Sequence, residues 1–256
     1  MLAKERQHLI YATVQKNGAA ATAKLVEQFG VSIETIRRDL LEMERQGLLS
    51  RVHGGAVAKG SMKAYEDLKT RNEQYSGEKS ALSRLAMAYI REGDIISVDA
   101  GSTAIQFAEQ LRTHFSDLTV VTHSLDVFEI LRDHRNFRTI LCGGQYLQEE
   151  NAFCGELAQE ILEKLYVRKA FIFPAAVSLE FGICDYQAEL LQMQKMLAHR
   201  AEEVFILADS SKFEKKALLK LSDMKREYTY ITDGELPVEL QLLYRENDIR
   251  VNIPEP

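Results

Sequence analysis

Two arginines stand side by side, Arg37 and Arg38, in the stretch SIETIRRDLLEMERQGLLSRVHGGAV that runs from Ser32 to Val57. Further along, small and hydroxylated residues recur as DAGST (99–103), VVTHS (120–124), ILCGG (140–144) and ADSSKF (208–213). Guanidinium groups suit phosphates and guanine edges, because O6 and N7 of guanine accept both arms of the fork. Glycines and hydroxyls where a helix begins suit an oxyanion, because free backbone N–H groups and the helix dipole converge there. The chemistry on offer is therefore recognition of anions, by two different means.

The arginines need a helix to aim them. Lys4 to Gln15 carries Leu9, Ile10 and Val14 at helical spacing before Asn17-Gly18, and Thr22 to Phe29 carries Leu25, Val26 and Phe29 before Gly30. Ser32 is a good N-cap for a third helix to about Gln46, with Gly47 beyond its end. Two helices joined by a short Gly-containing turn form a helix-turn-helix. At about 100° per residue, Ile33, Ile36, Leu40 and Met43 face inward, while Thr35, Arg38, Glu42 and Arg45 face outward with Glu34 near them and Arg37 on a flank. Arg38 then points at base edges near the N-terminus of a recognition helix. Arg37 suits phosphate, and Ser32 and Thr35 suit a phosphate or a thymine methyl. The plainer alternative is a solvated face of Glu–Arg pairs. Alternating apolar residues around Gly54-Gly55 predict a β-hairpin, which makes a winged helix with Arg51 and His53 near the DNA backbone. His53 has no Cys or carboxylate partner in sequence that would make it a metal ligand.

From Ala58 to Gly77 the sequence turns polar and reads as a linker with some helical character. Beyond it, apolar runs at 95–98, 119–122, 139–142, 170–173, 204–208, 228–232 and 249–251 alternate with helical stretches at 79–91, 103–112, 125–132, 155–165, 189–200 and 238–246. Such alternation predicts a mostly parallel α/β sheet, with ligands at the carboxyl ends of its strands. Those ends carry Asp99, Gly101, Ser102 and Thr103, then Thr122, His123 and Ser124, then Gly143 and Gly144, then Ser210, Ser211 and Lys212. Small residues at strand ends also make ordinary tight turns, but four such ends with a lysine predict an anion pocket. GxGxxG and Walker patterns are absent, which disfavours dinucleotides and NTP hydrolysis.

Composition limits the function classes. Apolar residues are 46% and charged residues 27% of 256, the balance of a folded soluble protein. No signal-like or membrane-length apolar run is present, and Cys142, Cys154 and Cys184 form an odd set without metal-ligand spacing, so a reduced cytoplasm is expected, with no metal and no cofactor. Net charge is −6, yet residues 1–60 hold nine Lys/Arg against six Asp/Glu, the rest 23 against 32. Only the head is suited to approach a polyanion.

The stretch VSIETIRRDLLEMERQGLLSRVHGGAV resembles the N-terminal signature of the DeoR family of bacterial transcriptional regulators, a V-S-x-x-T-I-R-R-D-L helix followed by an R-x-x-G-G wing. The resemblance implies operator binding by residues 1–57, usually as a repressor of a sugar or nucleoside catabolic operon. DAGST, CGG and ADSSKF are similar to that family's sensor domain, related in fold to ribose-5-phosphate isomerase. By position the resemblance implies an effector pocket of Lys79, Asp99, Gly101, Ser102, Thr103, Thr122, Ser124, Gly143, Gly144, Asp185, Glu189 and Lys212, holding a phosphorylated sugar. The chain departs from the family where T-N-S becomes Thr122-His123-Ser124, where a G-A-x-G-I stretch becomes Pro174-Ala175-Ala176-Val177, where Thr-Thr becomes Cys184-Asp185, and where Gly becomes Glu214. These changes leave the phosphate cradle and alter the walls around the sugar.

The expectation is a winged helix-turn-helix domain (1–57), a linker (58–77) and an α/β effector-sensing and oligomerisation domain (78–256). One head covers too few base pairs to select an operator, so a homo-dimer on repeated half-sites is expected, with tetramers suggested by the resemblance. A rival is a sugar-phosphate isomerase with an appended head, for which Asp99, Asp185 and Glu189 are candidate bases. A structural DNA-binding protein would have no use for the strand-end loops.

Overall fold

A computed structural model describes residues 3–17, 19–52, 54–58 and 67–254. Helices α1 (Ala3–Asn17), α2 (Thr22–Phe29) and α3 (Ile33–Arg45) form the head, with β1 (Ala19–Ala21) before α2 and the hairpin β2 (Leu49–Val52) and β3 (Gly55–Ala58) after α3. Gly30, at φ +62, ends α2 by donating its N–H to the Val26 carbonyl. The Ser32 hydroxyl caps α3 by accepting from the Thr35 N–H at 3.2 Å. Ile10, Val14, Leu25, Ile36, Leu40, Met43 and Leu49 make the core.

Three features differ from expectation or add to it. Ile33, placed inward by its angle, is 49% exposed. It lies on the first turn of α3, and angle alone does not bury a residue at a helix end that projects past its neighbours. The hairpin gains β1 as a third antiparallel strand, in the order β1-β3-β2. That pairing needs glycine at Gly55, where a Cβ would meet the Ala20 carbonyl oxygen at 2.2 Å. A buried ion pair between Arg6 and Asp39, with Gln7 donating to the same carboxylate at 3.2 Å, ties α1 to α3.

Within the stretch expected as a linker lies α4 (Leu68–Glu73), capped by Asp67, whose carboxylate accepts from the Thr70 N–H at 2.9 Å. Next come α5 (Ser76–Ala86), β4 (Ile95–Val98), α6 (Ser102–His114), β5 (Thr119–Thr122), α7 (Leu125–Leu131) and β6 (Arg138–Leu141). The hairpin β7 (Gln145–Leu147) and β8 (Ala152–Cys154) precedes α8 (Glu156–Glu163) and β9 (Val167–Ile172). Then follow β10 (Ala176–Ser178), β11 (Gly182–Asp185), α9 (Ala188–Arg200), β12 (Ala201–Leu207), β13 (Leu219–Ser222), β14 (Thr229–Ile231), α10 (Val238–Glu246) and β15 (Val251–Asn252). All seven expected strands pair, every neighbour parallel, in the order β15-β14-β12-β9-β4-β5-β6. The strands are Val- and Ile-rich because both faces are covered. One face packs Leu82, Phe107, Leu111 and Val127 from α5, α6 and α7, the other Leu162, Met193, Leu197 and Tyr244 from α8, α9 and α10. Phe171 and Phe205 on adjacent strands stack at 4.8 Å, with Phe107 4.7 Å from Phe171.

The chain order reverses between β4 and β9. Strands β5 and β6 extend the sheet one way from β4, while β12, β14 and β15 extend it the other way from β9. A crevice opens at the carboxyl ends on either side of such a switch point. A small antiparallel sheet, β10-β11-β13, stands beside it.

Candidate operator face and anion pocket

On α3, Arg38 is exposed, and among the described residues no hydrogen bond or ion pair holds its side chain. Arg37 is also exposed and lies 4.0 Å from Glu34, a loose i,i+3 pair. The Ser32 and Thr35 hydroxyls are 2.8 Å apart at the start of α3. Arg51 is exposed on β2, and its backbone N–H donates to Glu44 at 2.7 Å, which fastens the hairpin to α3. Ser32, Glu34, Arg37 and Arg38 are thus exposed at or on α3, with Thr35 half-buried, and Arg51 is exposed on the strand that follows. His53 lies outside the described residues.

A cavity of about 570 Å³ occupies the switch-point crevice. Its walls are the loops after β4 (Ala100, Gly101, Ser102, Thr103), β9 (Phe173, Pro174, Ala175) and β12 (Asp209 to Phe213), with Arg71, Tyr75 and Lys79 from the α4–α5 corner. Gly101 adopts φ +114, a left-handed value that a side chain would strain, and it starts α6. The α6 N-terminus thus faces the cavity with free N–H groups. Thr103 is 1% exposed and its hydroxyl, on the cavity wall, has no hydrogen-bond partner.

Cations ring this cradle. Lys79 is buried, and desolvation, then the neighbouring charges of Lys212 and Arg71, pull its ammonium down to about 8 against the opposing pull of Asp209. Its Nζ donates to the Gln74 carbonyl at 2.6 Å and to that of Arg71. Lys212 lies 3.7 Å from Asp209, and Lys215 and Lys216 complete the rim. Carboxylates face them. Burial pushes Asp185 up to about 6, although it accepts from the Gln194 amide at 2.9 Å and the Tyr186 N–H at 2.7 Å. Glu150 is fully buried and accepts from Arg71 Nη2 at 2.6 and 2.7 Å.

Of the twelve residues expected around an effector, Lys79, Gly101, Ser102, Thr103, Asp185 and Lys212 line the cavity. The others do not, and most have structural work. Asp99 is buried, accepting from the Phe173 N–H and the Gln194 amide at 3.1 Å each, with His123 Nε2 at 2.9 Å. His123 Nδ1 donates to the Phe153 carbonyl at 2.9 Å, so this ring, where the family has Asn, links the β4 end to the β7–β8 hairpin. The Thr122 hydroxyl donates to the Val98 carbonyl at 2.8 Å, and the Ser124 hydroxyl caps α7. Gly144 is needed where β8 and α8 approach, since a Cβ would sit 2.5 Å from the Cys154 carbonyl oxygen. Gly143 has open space around it, and Glu189 sits in the first turn of α9, off the cavity wall.

Arg71, Tyr75, Glu150, Tyr186, Lys215 and Lys216 were not anticipated on the wall. For Arg71 a signal existed: Asp67 three residues before Thr70 is an N-cap pattern, and a capped helix there presents Arg71 to the sheet. Nothing local distinguishes Glu150 within Gln148-Glu149-Glu150-Asn151.

Residues 74–234 match the DeoR C terminal sensor domain and residues 6–61 the DeoR-like helix-turn-helix domain. The chain is 31% identical over 244 residues to the L-fucose operon activator of Haemophilus influenzae, covering 95% of this chain and 97% of that one. It is 31% identical over 234 residues to the lactose phosphotransferase system repressor of Staphylococcus epidermidis, covering 90% and 92%. Among solved structures, ribose 5 phosphate isomerase A from Neisseria gonorrhoeae overlaps 59% of this chain and 57% of its own at 16% identity and a TM-score of 0.42. Among the described residues no helix is long and apolar enough to cross a membrane.

Proposed function

The chain belongs to the DeoR family of DNA-binding transcriptional regulators, and from that premise we propose that it represses a sugar catabolic operon and is released by a phosphorylated sugar. Residues 1–57 meet the operator, with Arg38 on a base edge, Arg37 and Arg51 on phosphates, and Ser32, Glu34, Thr35 and His53 flanking them. Residues 58–77 connect the two parts, and 78–256 sense the effector and join copies of the chain into a homo-dimer or tetramer in the bacterial cytoplasm. Chemistry on the bound sugar is not part of this function.

The observation that carries the effector assignment is the α6 N-terminus at the switch point, where Gly101, Ser102 and the unpartnered Thr103 hydroxyl face a cavity ringed by Lys79 and Lys212. Backbone N–H groups and the helix dipole hold the phosphate there, while Asp185 accepts from sugar hydroxyls. Asp99 supports the wall from behind by holding the Phe173 N–H.

Fluorescence anisotropy on operator DNA tests the proposal, with sugar phosphates and their unphosphorylated parents added in turn. A phosphate ester is expected to weaken operator binding roughly 5–150-fold, the usual range of allosteric coupling, and its parent sugar to do far less. Equal potency of ester and parent overturns the phosphate assignment. Turnover of an ester by the protein alone overturns the regulatory reading of the cavity.

A further inference from the structure

The strongest cation in the cavity is already engaged. Arg71 Nη2 donates to both oxygens of Glu150, a side chain with no solvent exposure. The same guanidinium faces the phosphate cradle, since Nη1 lies 3.9 Å from where a Cβ on Gly101 would stand. One arginine therefore spans the distance between a buried carboxylate and the turn that starts α6. Nη2 serves Glu150 and Nη1 faces the turn, so an anion bound there draws on the same guanidinium that compensates the Glu150 charge.

Arg71 also lies close to the corner between α4 and α5. It lies on α4, whose end is pinned by Lys79 donating to the Arg71 and Gln74 carbonyls, and the next residue, Tyr75, is held at φ +53. Helix α4 has no buried residue of its own. Asp67, its cap, follows the last residue of β3 in the DNA-binding domain by nine positions. Whatever draws Arg71 off Glu150 acts on the segment by which the chain returns from the operator-binding head.

Gln187 also donates to Glu150, at 3.4 Å, but a neutral amide does not replace the charge of the guanidinium, and a buried carboxylate that loses its counter-charge is destabilising. Inorganic phosphate takes Arg71 and offers Glu150 nothing. A free sugar offers hydroxyl donors to Glu150 and leaves Arg71 without an anion. A sugar phosphate supplies both, with its phosphate toward Arg71 and a hydroxyl toward Glu150. Resting on the reading of the cavity as a phosphate site, we propose that the effector inserts into the Arg71–Glu150 pair, and that Glu150 both selects for a polyol ester over a bare anion and keeps α4 docked when the cavity is empty.

Titration calorimetry and hydrogen exchange on the full chain test this, with inorganic phosphate, ribose 5-phosphate, glucose 6-phosphate and fructose 1-phosphate as probes. In the wild type, the ester that binds is expected to exceed inorganic phosphate by roughly tenfold or more, within the range of coupling between sites. Glu150→Gln removes the rival charge. Inorganic phosphate should then bind about tenfold more tightly, the ester's advantage should shrink, and the amides of residues 68–73 should exchange faster with no ligand present. Unchanged phosphate affinity and unchanged α4 exchange in E150Q overturn the proposal. If no ester binds the wild type while those two E150Q changes occur, the sugar-phosphate reading falls and the competition by Glu150 stands. Should E150Q fail to fold, Arg71→Met combined with Glu150→Met replaces the pair by side chains of similar length. That variant should keep α4 protected and show no ligand-induced rise in its exchange; a wild-type rise overturns the proposal.

Discussion

The two halves of the molecule present their recognition groups in opposite states. On the head, among the described residues, Arg38 is exposed without a partner and Arg37 has a loose one, while the strong ion pair, Arg6–Asp39, lies inside as scaffold. In the sensor half three cations of the cavity are engaged before any ligand arrives: Arg71 with Glu150, Lys79 with two carbonyls, and Lys212 with Asp209 at 3.7 Å. The head separates binding from stability. The sensor makes each depend on the other, which is what a switch requires, because a ligand shifts an equilibrium only by its different affinity for two states.

The harshest way to break this comparison is to remove the scaffold of the head. Asp39→Ala leaves Arg6 buried without its carboxylate, and breaking a buried pair from one side costs about 3–5 kcal/mol. Urea denaturation should show the head unfolding early, with operator binding lost. Calorimetry should show the sensor half still binding its ester. Loss of both activities together would mean that the halves fold as one unit and that the contrast is false.

A gentler change sharpens it. Arg38→Ala should cost about 1–3 kcal/mol on the operator, the value of a bidentate base contact, and relax preference at one base position. Arg37→Ala should weaken specific and non-specific DNA alike and flatten the salt dependence. Neither should move the urea midpoint, since both side chains stand in solvent. Anisotropy over a salt series reads the first two effects. A shifted midpoint for Arg38→Ala would give that residue a structural part.

Legibility followed the same division. The head could be read almost whole, because amphipathic helices, Ser32 and Gly30 at their ends, and Gly54 in the hairpin turn are local signals. Ile33, the three-alanine strand β1 and the Arg6–Asp39 pair escaped, the first for want of a neighbour at the helix end, the second because its pairing depends on the space left at Gly55, the third because its partners stand 33 positions apart. The parallel strands were legible as apolar runs, and the cradle at 101–103 as a turn before a helix. The strands β10, β11 and β13, of three or four residues each, carry too little alternation to show. Arg71 and Glu150, 79 positions apart, are joined only by tertiary structure. Their pairing leaves no trace in spacing.

Glu214 is the smallest and most particular test of how the sensor half ties its groups together. It stands where the family resemblance implies glycine, and it holds φ +51, a conformation costly for a residue with a side chain. Glycine there would remove that strain but would also loosen the unfolded chain, so the backbone effects largely offset. The side chain decides the sign. Its carboxylate accepts from the Leu179 N–H at 3.2 Å and from the hydroxyl of Tyr244, a fully buried residue of α10. Burial, then the bond to Glu214, pushes the Tyr244 phenol upward, so it stays a neutral donor. Glu214→Gly should therefore destabilise by about 1–2 kcal/mol, most of it the penalty of leaving that hydroxyl unpaired. Tyr244→Phe removes the donor as well, and in the Glu214→Gly background it should cost less than it does in the wild type. Urea midpoints of the two single variants and the double close the cycle. Strict additivity would show that Glu214 holds its strained backbone for some reason other than Tyr244.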